Sequence, residues 1–338
     1  MRKILVTGGT GYIGSHTIVD LIEKGFEVIC ADSNINSHPT ALEGIRKITG
    51  KDVKFYNVDL CNENKTQQIF DENKDIQGII HFAALKAVGE SVEKPMLYFD
   101  NNLKSLLNVL NCARKSNVKA FIFSSSCTVY GESKELPVSE KTEMQPAESP
   151  YGRTKQIGEY ILQDSAKSLE LNTISLRYFN PAGAHESGLI GESPKVEAVS
   201  LVPVIVETAA GKRDKCFVHG GDYTTRDGSC IRDYIHVMDL ADAHEKALTY
   251  ILEGRNTEKF EVFNLGIGKG VSVLEAINAF EKTTGVPLNY EIGPRRAGDI
   301  VAMYADKSKA ENILGWQPQY DIEDIMTTAW KWQQNKWY

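Results

Sequence analysis

Long apolar runs are missing from this 338-residue chain. No stretch approaches the roughly 18 apolar residues of a membrane span. The start, MRKILVTGG, offers only Ile4 to Val6 before polar and glycine residues intervene, too short a run for a signal peptide. Cysteine is scarce. Cys30, Cys61, Cys112, Cys127, Cys216 and Cys230 form no C-x-x-C pair, so they read as reduced, space-filling thiols of a cytoplasmic protein. The histidines show no H-x-x-x-H spacing and cluster with no cysteine, so no metal site is expected. Positive charge is in deficit, 38 Lys and Arg against 45 Asp and Glu, for a net charge of -7. That balance gives no overall attraction to nucleic acid or to an anionic membrane, and any phosphate site must be local. Internal repeats and low-complexity tracts are also lacking.

What remains is an ordinary globular composition, 42% hydrophobic and 25% charged, over about twice a typical domain length. Short apolar β-type runs recur at Lys3 to Thr7, Glu27 to Ala31, Val53 to Val58, Gly78 to Phe82, Ala120 to Ser124 and Thr173 to Tyr178. Roughly 25 to 50 residues separate successive runs, room for a crossover helix each time, which predicts an α/β fold with a doubly wound parallel sheet. Runs such as GIIHF and AFIFS do not alternate, as expected of strands buried on both faces. Beyond Asn180 the pattern loosens, then resumes with a helix-like Asp239 to Leu252 and a strand-like FEVFNLG. The expected division is a first domain of residues 1–180 plus 233–267 and a smaller α/β lobe of 181–232 plus 268–338.

The sharpest motif is Thr7-Gly8-Gly9-Thr10-Gly11-Tyr12-Ile13-Gly14, directly after a strand and ahead of a helix expected over His16 to Lys24. Glycines there let the backbone turn tightly and approach a pyrophosphate, which the helix N-terminus receives with free N–H donors and a positive dipole end. A glycine-rich turn alone marks only a tight loop; the strand before it and the helix after it make a dinucleotide site. Asp32 ends the second strand, placed to accept the ribose hydroxyls of adenosine and to repel a 2′-phosphate, which favours NAD over NADP. A loop-capping role is its plain alternative. Asp59 and Leu60 follow the third strand, where they could bracket the adenine.

A second constellation joins Ser124-Ser125-Ser126-Cys127-Thr128, at a strand end, to Tyr151-Gly152-Arg153-Thr154-Lys155 after Pro150. Proline suits a helix entrance, and the four-residue spacing sets Tyr151 and Lys155 on one face, one turn apart. For a phenol to act as a base at neutral pH its anion must be stabilised by about 4 kcal/mol. One cation at about 4 Å in an effective dielectric of about 20 supplies about that much. Lys155 is expected to provide it together with a nicotinamide cation, while Tyr151 takes a hydroxyl proton as hydride leaves the same carbon and a serine hydroxyl relays.

TGGTGYIG, SSSCTVYG and YGRTK together resemble the extended short-chain dehydrogenase/reductase superfamily. HFAALKAVGES (81–91), RYFNPAGAH (177–185), GGDYTTRDGSCIRDYIHVMDLADAH (220–244) and PRRAGD (294–299) are similar to one branch of it, the UDP-glucose (UDP-galactose) 4-epimerases, over nearly the whole chain. The resemblance implies a Rossmann domain with tightly bound NAD and a UDP-sugar inverted at carbon 4 through a keto intermediate. It makes Tyr151 the base, Lys155 its electrostatic partner and ribose-binding residue, and Ser126 the assisting hydroxyl, with Tyr151 and Lys155 both at the cofactor and Thr128 near the sugar. It places NAD along Gly8, Gly11, Tyr12, Ile13 and Gly14, then Asp32, Asn34, Asp59 and Leu60. Phe82, Ala83, Lys86, Asn101, Ser124 and Tyr178 continue that cofactor surface, with Tyr178 beside the nicotinamide and Lys86 reaching the substrate too. Phe179 and Asn180 fall at the sugar-nucleotide contact. Ser200, Leu201, Phe217, His219, Arg232, Tyr234, Arg296 and Asp299 fall where the family binds diphosphate and uridine.

Some positions depart from the family pattern. Ser200 stands where an Asn precedes Leu201, VEAVSLVP replaces the usual stretch, and His219 replaces an aromatic residue beside the uracil. Met303 occupies the position whose size governs room for an N-acetyl group, which leaves UDP-N-acetylhexosamines open as substrates, along with uronates and pentoses. A 4,6-dehydratase generally has an Asp-Glu pair where Cys127-Thr128 stands here, and a non-catalytic NAD sensor tends to lose the Tyr or Lys that are intact here. Cys127 itself is expected to pack. The helix-like run Pro95 to Lys115, with Leu103, Leu106, Leu107 and Leu110, and the helix carrying Tyr151 have apolar positions at helical spacing. The family pairs these helices across a homodimer interface.

Overall fold

The computed structural model describes residues 1–338 apart from 117, 134, 167, 169, 196, 297 and 298. Strands and helices alternate as β1 (Lys3–Thr7), α1 (Tyr12–Glu23), β2 (Glu27–Asp32), α2 (Ala41–Thr49), β3 (Lys54–Asn57), α3 (Glu63–Glu72), β4 (Ile76–His81), α4 (Val88–Glu93), α5 (Pro95–Lys115) and β5 (Ala120–Ser126). A short 3-10 turn over Cys127–Tyr130 precedes α6 (Pro150–Ala166), β6 (Asn172–Tyr178), β7 (Asn180–Ala182), α7 (Leu201–Ala209), β8 (Cys216–His219), β9 (Ile231–Arg232) and β10 (Tyr234–His236). Then follow α8 (Val237–Leu252), β11 (Phe260–Leu265), β12 (Val271–Ser272), α9 (Val273–Thr284), β13 (Tyr290–Gly293), β14 (Ala302–Met303) and α10 (Ile322–Asn335).

Seven strands form one parallel sheet in the order β3-β2-β1-β4-β5-β6-β11. The order reverses between β1 and β4, so the chain leaves these two strands toward opposite faces and a crevice opens at their C-terminal ends, where such sheets receive ligands. Every residue of β5 is buried. Ile4, Val6, Ile80 and Ile122 pack with Leu248 in the core beneath α1 and α8. Their neighbours Leu5, Ile79, Phe121 and Phe123 pack with Leu106 and Leu162 on the opposite face, beneath α5 and α6. Alternate residues thus feed two cores, which is why these strands read as unbroken apolar runs; each such side chain contributes about 1.5–3 kcal/mol on burial.

A third core, with Val202, Ile205, Val218, Phe280 and Ile325, joins α7, α9 and α10 to β8. Its strands are brief: β8 pairs with β13, β9 with β12 and β14, and β7 with β10. Among the described residues no helix is long and apolar enough to cross a membrane. Two boundaries correct the sequence reading. The helix expected from His16 begins at Tyr12, because Gly11, in extended backbone, ends the turn one residue earlier. The strand expected to stop at Ser124 runs on to Ser126, paired with Tyr178 of β6.

Candidate active site

The glycine turn lies at the reversal point. Gly8 has φ 68°, and a Cβ there would come 2.8 Å from the backbone nitrogen of Ala83, so the turn sits against the chain leaving β4 at Phe82 and Ala83. At Gly14 a Cβ would overlap the Gly8 carbonyl oxygen. At Gly11 it would meet only that oxygen, at 3.1 Å, leaving its other side open. No side chain caps α1, so its first N–H groups, from Tyr12 and Ile13, are free to meet an anion. This cradle fits a dinucleotide pyrophosphate. The Tyr12 hydroxyl is turned away, donating to the Gly183 carbonyl at 2.6 Å.

Asp32, buried at the end of β2, accepts from the backbone N–H of Thr10 (3.1 Å) and of Asn34 (2.9 Å) and from the Ser37 hydroxyl (3.0 Å). It therefore performs the loop-fastening job of its plain alternative and still presents a carboxylate at the crevice. Asn34 holds a left-handed φ of 55°, which its short polar side chain tolerates. Asp59 caps the following turn by accepting from Cys61 N–H at 2.8 Å, Leu60 is buried, and Asn101 lies beside the Cys61 thiol. Lys86 follows β4 with an exposed side chain that pairs with Glu192 at 3.0 Å.

The Ser, Tyr and Lys constellation does come together. Lys155 is buried on α6 and donates to the Ser124 carbonyl at 2.6 Å, with its nitrogen 5.8 Å from the Tyr151 ring centre and 5.0 Å from that of Phe123. Ser126 caps the 3-10 turn, accepting from Thr128 N–H at 3.3 Å. The Tyr178 hydroxyl bonds the Ser124 hydroxyl, and its ring lies 5.6 Å from His244, which in turn is 4.7 Å from Phe82. The Thr128 hydroxyl oxygen is buried with no partner, a polar atom that a sugar hydroxyl would satisfy.

Burial opposes ionisation of both Tyr151 and Lys155. Burial pushes the Tyr151 phenol up to about 12, with Ser126 pulling it back and the Cys127 thiol opposing. Lys155 is itself pushed down to about 7 by burial, countered by Glu159. Bringing a phenol from about 12 to neutral pH takes about 7 kcal/mol, more than one partly charged amine supplies. Burial also holds the Cys127 thiol up at about 12, so it stays protonated and packs against Val129, Met303 and their neighbours.

The nucleotide end is looser. Phe179 is buried beside Met303 and Tyr130, and Asn180 opens β7. Arg232 donates to the carbonyls of Ile231 (2.9 Å) and Ile300 (2.7 Å), beside a buried Tyr234 whose phenol burial pushes up. Asp299 lies between two guanidinium groups, 3.6 Å from Arg232 and 2.8 Å from Arg296. Phe217 and His219 lie on the exposed side of β8, and Ser200 and Leu201 begin α7 with no side-chain cap. Val196 and residues 297 and 298 of the PRRAGD motif lie outside the described residues.

Sequence reasoning missed the groups that hold these side chains. Thr10 and Ser37 fasten Asp32, and Glu192 engages Lys86. Behind Lys155, Glu159 accepts from Ser125 and is paired with the buried Arg177 at 2.5 Å. Only Glu159 left a trace in the sequence, four residues beyond Lys155 on one helix face.

Residues 5–329 match the family model described as GDP-mannose 4,6 dehydratase. The UDP-glucose 4-epimerase of Haemophilus influenzae is 47% identical over 98% of this chain and 97% of its own. The crystal structure of UDP-glucose 4-epimerase from Bifidobacterium longum in complex with NAD+ and UDP is 48% identical, with a TM-score of 0.94 over 99% of both chains. That of the Stenotrophomonas maltophila UDP-glucose 4-epimerase, with bound NAD and formylated UDP-arabinopyranose, is 43% identical, with a TM-score of 0.95 over 99% of this chain and 98% of that one.

Proposed function

Because the chain belongs to the UDP-glucose 4-epimerases, within the wider family described as GDP-mannose 4,6 dehydratase, we propose that it interconverts UDP-galactose and UDP-glucose. The observation that carries the reading is the joining of Tyr151, Ser126 and Lys155 at the end of β5, on the same sheet edge as the glycine turn. The hydrogen at carbon 4 of the sugar is not acidic, so inversion by proton exchange is closed, whereas oxidation to a ketone removes the stereocentre and reduction from the other face restores it inverted. NAD, when bound, supplies the hydride acceptor and gives the hydride back, its cationic ring adding to Lys155 in easing ionisation of the phenol.

The chain's own residues do the rest. Tyr151 takes the proton of the carbon-4 hydroxyl and returns it, and Ser126 shares that proton. Lys155, anchored on the Ser124 carbonyl, lies where its charge bears on the Tyr151 ring. Gly8 to Gly14, Asp32 and Tyr178 hold the dinucleotide, and Thr128 offers a free hydroxyl oxygen to the sugar. Arg232 and Arg296 would anchor the diphosphate so that the keto sugar can turn over between the two hydride transfers. In this reading residues 1–180 plus 233–267 carry NAD and 181–232 plus 268–338 the nucleotide sugar.

Two further parts of the reading concern setting. The exposed Val92, Met96, Leu97, Leu107 and Tyr160, on the adjoining helices α4, α5 and α6, support a homodimer. Free cysteines support a cytoplasmic location. The test is incubation of the purified protein with UDP-galactose, UDP-GalNAc and UDP-glucuronate, each without added cofactor. Conversion of UDP-galactose to UDP-glucose is expected; no carbon-4 epimer from any arm would overturn the reading.

A further inference from the structure

The loop after β2, at the adenosine end of the cofactor site proposed above, reaches across to Tyr338 through His38. Inside, Ser37 and Asn34 fasten it to Asp32 and Thr10: the Thr10 hydroxyl lies 2.8 Å from the Ser37 oxygen and 2.9 Å from the Asn34 side-chain oxygen. Outside, Ser33, Ile35 and Asn36 are exposed, so that side of the loop faces solvent.

What does retain it comes from far along the chain. The Tyr338 ring lies 5.8 Å from the His38 ring, and Lys195 donates to the Asn34 carbonyl. Tyr338 is wedged between two indoles, at 5.2 Å from Trp332 and edge-on at 5.0 Å from Trp337. Trp337 is fixed at both ends. Its Nε1–H donates to the Leu189 carbonyl at 3.2 Å, and the Lys47 ammonium of α2 lies 4.1 Å over its ring. The segment that carries Lys195 is tied into the same cluster, since Trp332 donates to the Glu192 carbonyl at 3.0 Å and Ser193 to the Tyr338 carbonyl at 3.3 Å.

We propose that Trp337 and Tyr338 form a strap that locks the 33–38 loop over the adenosine half of the cofactor site and so sets how long the dinucleotide stays bound. Releasing the adenosine end requires Ser37 and Asn34 to swing out, which the Tyr338 ring against His38 and the Lys195 bond to the Asn34 carbonyl, from a segment tied to the strap through Ser193, both oppose. The inference rests on the NAD reading above and explains a need of it: an enzyme that returns hydride to its substrate each turnover gains from a cofactor that does not leave. Trp337 and Tyr338 are positioning residues; they act through the loop.

The test uses the full-length holoprotein and measures retained NAD against time of dialysis, by extraction and enzymatic cycling. Trp337→Ala and Tyr338→Ala are each expected to lose NAD about tenfold faster, equivalent to about 1.4 kcal/mol, with KM for UDP-galactose unchanged at saturating NAD. Equal dissociation rates for wild type and both variants would overturn the strap while leaving the cofactor reading intact. A wild-type protein that neither carries nor binds NAD would overturn both. Should Trp337→Ala not fold, Trp337→Phe removes the indole N–H to Leu189 and shrinks the ring beneath Lys47 while keeping an aromatic ring at that position, and a rate about threefold above wild type is the expected result; an unchanged rate counts against the strap.

Discussion

The two ends of the candidate site are built to different standards. At the end of β5 and β6, Lys155, Ser124, Ser126 and Tyr178 are buried side chains, seated on a seven-stranded sheet with a core on either face. At the nucleotide end, Phe217 and His219 lie exposed on a two-stranded ribbon, and Arg296 is 57% exposed on a loop. In the proposed reading fixed geometry is placed where a proton leaves a hydroxyl oxygen as a hydride leaves its carbon, because small misplacements there are costly in rate. On the same reading the looser end need only keep hold of an anion.

The contrast is open to attack from the rigid side first. Tyr151→Phe is expected to lower kcat about 10³-fold with the melting temperature and NAD content unchanged; turnover within tenfold of wild type would remove Tyr151 from the chemistry. Lys155→Met is expected to cost about 10²-fold and to alter the pH profile. With a value near 7, Lys155 is a cation below that pH and neutral above it, so its contribution to rate is present in acid and lost as pH rises through about 7. The variant should lack that limb, and an identical profile would break the electrostatic argument. On the loose side, Arg296→Met is expected to raise KM for UDP-galactose about tenfold while sparing kcat, the signature of lost uniform binding; a fall in kcat of the same size would mean that the two ends are not separable.

How far the sequence reached divides along the same line. The runs at 3–7, 27–31, 78–82, 120–124 and 173–178 were legible as strands because both faces of each are buried, and Tyr151 and Lys155 because a helix repeats every turn. Apart from β11, read as the strand-like FEVFNLG, the strands of 216–303 were not legible, since segments of two to four residues such as Ile231–Arg232 and Ala302–Met303 show no period at all. Start and end errors had local causes: Gly11 and Gly14 disguised the first turn of α1, and the serines of β5 disguised its last residues. The charge state of Tyr151 lay furthest out of reach. The sequence spacing measures only how close Lys155 lies along the helix, whereas the phenol responds first to its burial among residues distant in the chain. Asp32 is the intermediate case. Its position was readable, but Thr10 and Ser37, which hold it, follow no repeat.

Asp299, set between Arg232 and Arg296, makes the protein its own competitor for those two cations. If, as proposed, a diphosphate binds there, its entry exchanges one anion for another and does not meet bare charge. The exchange lowers the gain on entry, yet it keeps both guanidinium groups aimed beforehand and gives them a partner to fall back on at departure. In that reading product release is a swap between carboxylate and phosphate, so a neutral residue at 299 would be expected to slow the leaving of nucleotide even as it tightened the grip.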